Sequence, residues 1–191
     1  ILSNKLDYIG INYERFNAID GKNLENKYND YIGIYKNFIP LSVIGCGLSH
    51  FLLCKQHFTN YENMSALILE DDADPLFKNY QDINDVLINA PRDWEIILLY
   101  SQGITNYRDN TWRCSYGAGS TIGYLINYKG FKKRYKNYKL NFHTDIERWF
   151  TKTKIYKTPY LLVKPSNYDS STSSNYSLNN HLVNFLNFLF S

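Results

Sequence analysis

Glu70, Asp71 and Asp72 are three consecutive acids, and Asp74 adds a fourth two residues on. They follow a short apolar run, Ala66-Leu67-Ile68-Leu69, and precede Pro75. Carboxylates this close repel one another unless a cation or a positive ligand sits among them. Hard oxygen donors suit Mg²⁺ or Mn²⁺, and Mg²⁺ commonly completes its shell with substrate phosphates. The expected chemistry is a metal-bridged nucleotide or phosphate site at the carboxyl end of a buried strand, where open α/β sheets bind ligands. Asp72 is the expected metal ligand, with Glu70 or Asp71 holding the nucleotide's sugar or orienting the metal's waters. The competing structural reading is an acid capping a following helix. One acid would suffice for that.

A second constellation is Gly45-Cys46-Gly47-Leu48-Ser49-His50. Cys46, His50, Cys54 and His57 share one helical face, which invites comparison with zinc sites. At 1.5 Å rise per residue, however, Cys46 and His57 lie about 16 Å apart. One tetrahedral ion cannot take all four from such a line. The glycines are read instead as standing before a helix and allowing a ligand close to its N-terminus, with Ser49 and His50 in the first turn. The structural alternative makes His50 a hydrogen-bonded core residue. A third group is His143-Thr144-Asp145-Ile146-Glu147. Thr144 and Glu147 have capping-box spacing, which accounts for Glu147. Asp145 is left to complement the helix dipole, to deprotonate a hydroxyl or to reach a metal.

The elements that position these groups are legible from apolar patterning. Strands are expected at 13–19, 66–69, 94–100, 121–126 and 160–163. Helices are expected over 42–60, 82–90, a basic stretch from 129 and 144–153. Residues 22–38 read as irregular or weakly helical, and Gly117-Ala118-Gly119-Ser120 as a loop. Strands alternating with helices predict an α/β sheet, mostly parallel and flanked by helices. Residues 1–165 form the expected main domain, 166–180 a Ser/Asn-rich loop, and 181–191 a C-terminal amphipathic helix docked on the sheet.

The chain of 191 residues is long enough for one domain with a substantial core. A formal net charge of +3 is too small to argue for a nucleic-acid partner. The basic segment 129–139 reads more naturally as a solvated helix face than as a phosphate patch. Eighteen tyrosines suit a cleft for sugars or nucleobases, although a coding bias explains them equally well. Cys46, Cys54 and Cys114 make no disulfide framework, which favours a reducing, cytoplasmic compartment. No signal peptide and no membrane-spanning run is apparent.

Taken in order, the motifs resemble glycosyltransferase family 25, the lipopolysaccharide and procollagen galactosyltransferase-like group. Arg15-Phe16-Asn17-Ala18-Ile19-Asp20-Gly21 is similar to the family's Arg-x-x-Ala-x-Asp-Gly. Gly45-Cys46-Gly47-Leu48-Ser49-His50 is similar to its Gly-Cys-x-x-Ser-His, and Leu69-Glu70-Asp71-Asp72-Ala73 to its Leu-Glu-Asp-Asp-Ala. Trp94 to Leu99 and Gly123 to Ile126 fit its next two strands, and Thr144 to Glu147 its later acidic motif. The resemblance runs from about Arg15 to Pro165. It implies an A-type glycosyltransferase fold with a Rossmann-like sheet, a UDP-sugar donor, most often UDP-galactose, and Mn²⁺ or Mg²⁺. It implies inversion at the anomeric carbon and a glycan or protein hydroxyl as acceptor. Asp72 then holds the metal, Asp145 is the base or a second metal contact with Glu147 behind it, and Ser49 and His50 line the donor pocket. The family's opening strand is expected to be missing before Ile1, so the domain is either clipped or impaired.

Two rivals follow from the same residues. A catalytically impaired relative would bind sugars or partners without transfer. An Asp-based phosphotransferase would use Asp72-Ala73-Asp74, but Leu76 stands where haloacid-dehalogenase-like phosphatases have Thr.

Overall fold

The computed structural model describes residues 2–33, 37, 39–100, 112–114, 121–141 and 153–166. Asp145, Glu147 and the 117–120 loop lie outside them. So do the 144–153 helix except Thr153, the 166–180 loop beyond Ser166 and the 181–191 helix. In chain order the elements are α1 (Leu2–Ile9), two 3-10 turns (Gly21–Asn23 and Asn26–Tyr31), α2 (Leu41–Asn60), β1 (Ala66–Leu69) and β2 (Ala73–Pro75). Then follow α3 (Tyr80–Asn89), β3 (Ile96–Leu98), β4 (Arg113–Cys114), β5 (Gly123–Ile126), α4 (Tyr128–Tyr135), β6 (Ile155–Lys157) and β7 (Val163–Pro165).

The fold is α/β, with helices on both faces of a five-stranded sheet of order β1-β5-β3-β6-β4. Side chains alternate across each strand. On β3, Ile96 and Leu98 join Phe51, Cys54 and Phe58 of α2 and Tyr135 of α4. Ile97 and the following Leu99 join Leu6 of α1 and Ile83 and Val86 of α3. β5 repeats the pattern, with Tyr124 and Ile126 on the α2 side and Leu125 on the other. Burial on both faces explains why these strands read as continuous apolar runs.

The expectation of a mostly parallel sheet is corrected. Only β3 and β6 run parallel among the described strands. β1 with β5, β3 with β5 and β4 with β6 are antiparallel. Two-sided burial is common to parallel strands and to central antiparallel ones, so apolar patterning does not fix strand direction. A second, two-stranded sheet pairs β2 with β7, placing Asp74 opposite Lys164. Pro75 therefore lies inside a short edge strand, where its missing N–H costs no ladder bond in a sheet centre.

Residues 13–19, expected as a strand, adopt no regular secondary structure. α1 ends in a Schellman turn: Gly10 has φ 77°, Ile11 N–H donates to Leu6 O at 3.0 Å and Gly10 N–H to Asp7 O at 3.1 Å. The chain then crosses α2, where Ile19 N–H donates to Ser49 Oγ at 2.8 Å instead of to a neighbouring strand. Among the described residues no helix is long and apolar enough to cross a membrane.

Candidate functional site

β1 ends at Leu69, and the next four residues make a tight turn into β2. Ala73 N–H donates to Glu70 O at 3.0 Å, so Asp71 and Asp72 occupy the two corners of that turn. Glu70 N–H remains tied to Ile122 O at 3.0 Å, which holds the turn against the chain entering β5. On the other side Ser166 N–H donates to Asp72 O at 2.7 Å. The backbone of the acid turn is thus fixed from both sides, while its carboxyls take different paths.

Asp71 points to solvent. Asp74 is half-buried and forms ion pairs with Lys5 of α1 and, at 3.5 Å, with Lys164 of β7. These cations hold its carboxyl below the usual range. Asp74 therefore ties β2 to its neighbours, which leaves the phosphotransferase pairing with Asp72 without a free second acid. Asp72 differs from both. Its Oδ1 is buried and has no hydrogen-bond partner among the described residues. Burial, reinforced by the charges of Glu70 and Asp71, pushes its carboxyl above the ordinary value. A buried acceptor without a donor is costly, and like charges beside it add to the cost.

Glu70 faces α2. Its Oε1 lies 3.0 Å from His50 Nε2, and His50 Nδ1 lies 2.9 Å from the Tyr124 hydroxyl. His50 is 6% exposed. Burial alone would lower its basicity, but Cys46 and Glu70 act in the opposite sense and raise its pKa to about 10. Nε2–H then donates to the Glu70 carboxylate and Nδ1–H to the Tyr124 oxygen. Cys46, one turn earlier on α2, brings a third ligating atom to the same place: Sγ, a ring nitrogen and a Glu70 oxygen lie within 4.8 Å of one another.

The glycine-containing stretch requires a correction. α2 starts at Leu41, so Gly45 to His50 lie inside the helix, and Ser49 and His50 are not in its first turn. The close approach at Gly45 is to protein: a Cβ there would sit 2.4 Å from Ile19 O and 2.7 Å from Gly21 N. Gly21 reciprocates, with its own Cβ position 1.6 Å from Leu41 O. Ser49 Oγ donates to Gly45 O at 2.7 Å while accepting from Ile19 N–H. The Arg15–Gly21 and Gly45–His50 motifs therefore meet as a packing joint. α2 runs unbroken to Asn60, consistent with excluding a zinc site from Cys46, His50, Cys54 and His57 together.

The fold brings together His50, Glu70 and the acid turn, and it places Ser49 at the adjoining joint. Asp145 and Glu147 fall outside the described residues. Sequence reading missed Tyr124 and the convergence of Cys46 on Glu70. The four-residue step from Cys46 to His50 was the available signal, whereas the contacts across to β1 and β5 leave no local pattern.

An α/β sheet covered by helices on both faces, with an acid turn at a strand's carboxyl end, is a glycosyltransferase-like arrangement. Residues 1–116 match the family described as glycosyltransferase family 25 (LPS biosynthesis protein), and the chain belongs to that family. A "Glycosyltransferase 25 family member" from Anopheles gambiae is 28% identical over 149 residues, covering 66% of this chain and 24% of the relative. Another so named, from Aedes aegypti, is 29% identical over 151 residues, covering 68% of this chain and 24% of the relative. The chain thus spans about a quarter of the length of these curated relatives.

Proposed function

We propose that this chain carries the donor site of a metal-dependent, inverting glycosyltransferase. It would move a hexose, galactose by the family resemblance, from a UDP-sugar to a hydroxyl of a glycan or protein. The observation that supports this most is the buried, unpartnered Oδ1 of Asp72 at the acid turn. A cation would supply the partner that this oxygen lacks and offset the repulsion from Glu70 and Asp71. The all-oxygen donor set fits Mn²⁺ or Mg²⁺. When bound, such an ion supplies positive charge against the diphosphate leaving group.

The remaining work falls to the chain's own groups. Asp72 would hold the ion, and Asp71, exposed at the neighbouring corner, would reach the donor's sugar or the ion's waters. Glu70, fixed by His50, keeps the turn in place beside the donor. Ser49 and His50 would form the pocket's α2 wall, Ser49 chiefly by anchoring residues 19–21. An inverting displacement needs one base for the acceptor's proton. Asp145 is assigned that role or a second metal contact, with Glu147 behind it, on the order of the motifs alone. Isothermal calorimetry of UDP-galactose with Mn²⁺ tests the proposal. Binding should require the metal and vanish in Asp72→Ala. Equal binding by that variant, or phosphatase turnover without any nucleotide, would overturn it.

A further inference from the structure

Cys46 has no task in the donor chemistry, yet its sulfur shares a 4.8 Å cluster with His50 and Glu70. Cys46 and His50 are four residues apart on α2 and lie on one face of the helix. Glu70 arrives from β1, a different layer of the fold. This donor set differs in kind from the acid turn. A thiolate and an imidazole select Zn²⁺, whereas carboxylates alone suit Mg²⁺ or Mn²⁺. Zinc bonds of about 2.0–2.3 Å with tetrahedral angles put ligand atoms about 3.3–3.8 Å apart. His50 Nε2 and Glu70 Oε1, 3.0 Å apart, already approach that spacing. Movements of about 1 Å in the side chains would bring the cluster to it.

The surroundings of His50 fit the same reading. Zinc-bound histidines are usually oriented by a hydrogen bond at the other ring nitrogen. Here Tyr124, 4% exposed on β5, meets Nδ1 at 2.9 Å, which leaves Nε2 to face Glu70 at 3.0 Å. Cys46 is only half-buried, which leaves an approach from solvent. We propose that Cys46 Sγ, His50 Nε2 and Glu70 form a three-ligand zinc site, separate from Asp72, that clamps α2 to the end of β1. A water or substrate oxygen takes the fourth position. Binding releases the thiol proton and the Nε2 proton to solvent. The site does not depend on the donor reading, because the metal alone probes it.

The test is titration of the reduced full chain with Co²⁺ alone, followed by Zn²⁺. One equivalent of Co²⁺ should give a thiolate-to-cobalt charge-transfer band, and Zn²⁺ should abolish it. Cys46→Ser should lose the band while retaining its unfolding midpoint. Glu70→Gln, a second variant in case Cys46→Ser folds poorly, should weaken binding at least about tenfold, and Tyr124→Phe about 10–100-fold. Asp72→Asn should leave the band intact, which separates this site from the donor metal. Absence of the band in the wild type, its persistence in Cys46→Ser, or its loss in Asp72→Asn would each overturn the proposal.

Discussion

His50 and Glu70 join the two most informative motifs of the chain through a contact of 3.0 Å between Nε2 and Oε1. One residue stands in the middle of α2, and the other begins the acid turn after β1. The contact sets the carboxyl of the first acid toward the helix, while Asp71 and Asp72 occupy the corners of the turn that the Ala73 N–H to Glu70 O bond closes. Removing the imidazole should therefore disturb the acid turn without touching it. His50→Ala takes a 2.9 Å partner from the buried Tyr124 hydroxyl and a 3.0 Å partner from Glu70, at a cost of about 1–3 kcal/mol. A lower urea midpoint with an unchanged slope would register it.

Asp72→Asn should act in the opposite direction on stability. A carboxyl whose folded value is raised opposes folding as pH rises from its ordinary 3.8 through the raised folded value, since the folded state resists ionisation. A neutral amide removes the repulsion from Glu70 and Asp71. The variant should melt at a higher temperature than wild type in chelator at pH 7 while losing metal-dependent nucleotide binding. A lower melting temperature would contradict this assignment of Asp72.

The joint between α2 and residues 19–21 has no room for a side chain. Gly45→Ala places a methyl carbon 2.4 Å from Ile19 O, against backbone that cannot swing aside. Overpacking of this kind costs about 1–3 kcal/mol or more. Denaturant unfolding should show that loss. Ser49→Ala should show a smaller one, because it removes one hydroxyl and its bonds to Ile19 and Gly45.

Glu95 gives the fold an acid-sensitive anchor. It is 1% exposed, bonded to Lys133 at 3.0 Å, near Lys129 at 3.5 Å, and accepts from Lys154 N–H at 2.6 Å. Burial would raise its carboxyl, but the Lys154 N–H and the two lysines hold it below its ordinary 4.5. Its contribution is therefore present above that value and is lost as pH falls through the depressed folded value. Glu95→Gln should lose about 1.5–3 kcal/mol at pH 7 and show a flatter decline on acidification than wild type. Urea midpoints across pH 3–7 would check it.

Local signals recovered the pieces that local physics decides. The 66–69 strand and the 42–60 helix match β1 and, within one residue, α2, because burial on both faces and helical spacing are written in neighbouring residues. The basic stretch from 129 was also legible as a helix, but not the use of Lys129 and Lys133 to neutralise Glu95, 34 or more residues earlier. Strand direction was misread because β5 pairs antiparallel with both β1 and β3, a choice made by the connections. β2 was invisible since its partner β7 lies some 90 residues downstream and its sequence contains Pro75. At the site, the acids were legible by type and crowding. Their division of labour was not, because Lys5, Lys164 and His50 reach them from distant segments.

The central claim is that Asp72 receives a divalent cation together with the donor's diphosphate. Crystals soaked with Mn²⁺ and UDP, measured at a wavelength where manganese scatters anomalously, test it most directly. An anomalous peak within bonding distance of Asp72 Oδ1 and of a UDP phosphate oxygen is the predicted result. UDP bound with that peak elsewhere, or with Asp72 still facing no ion, would contradict the account.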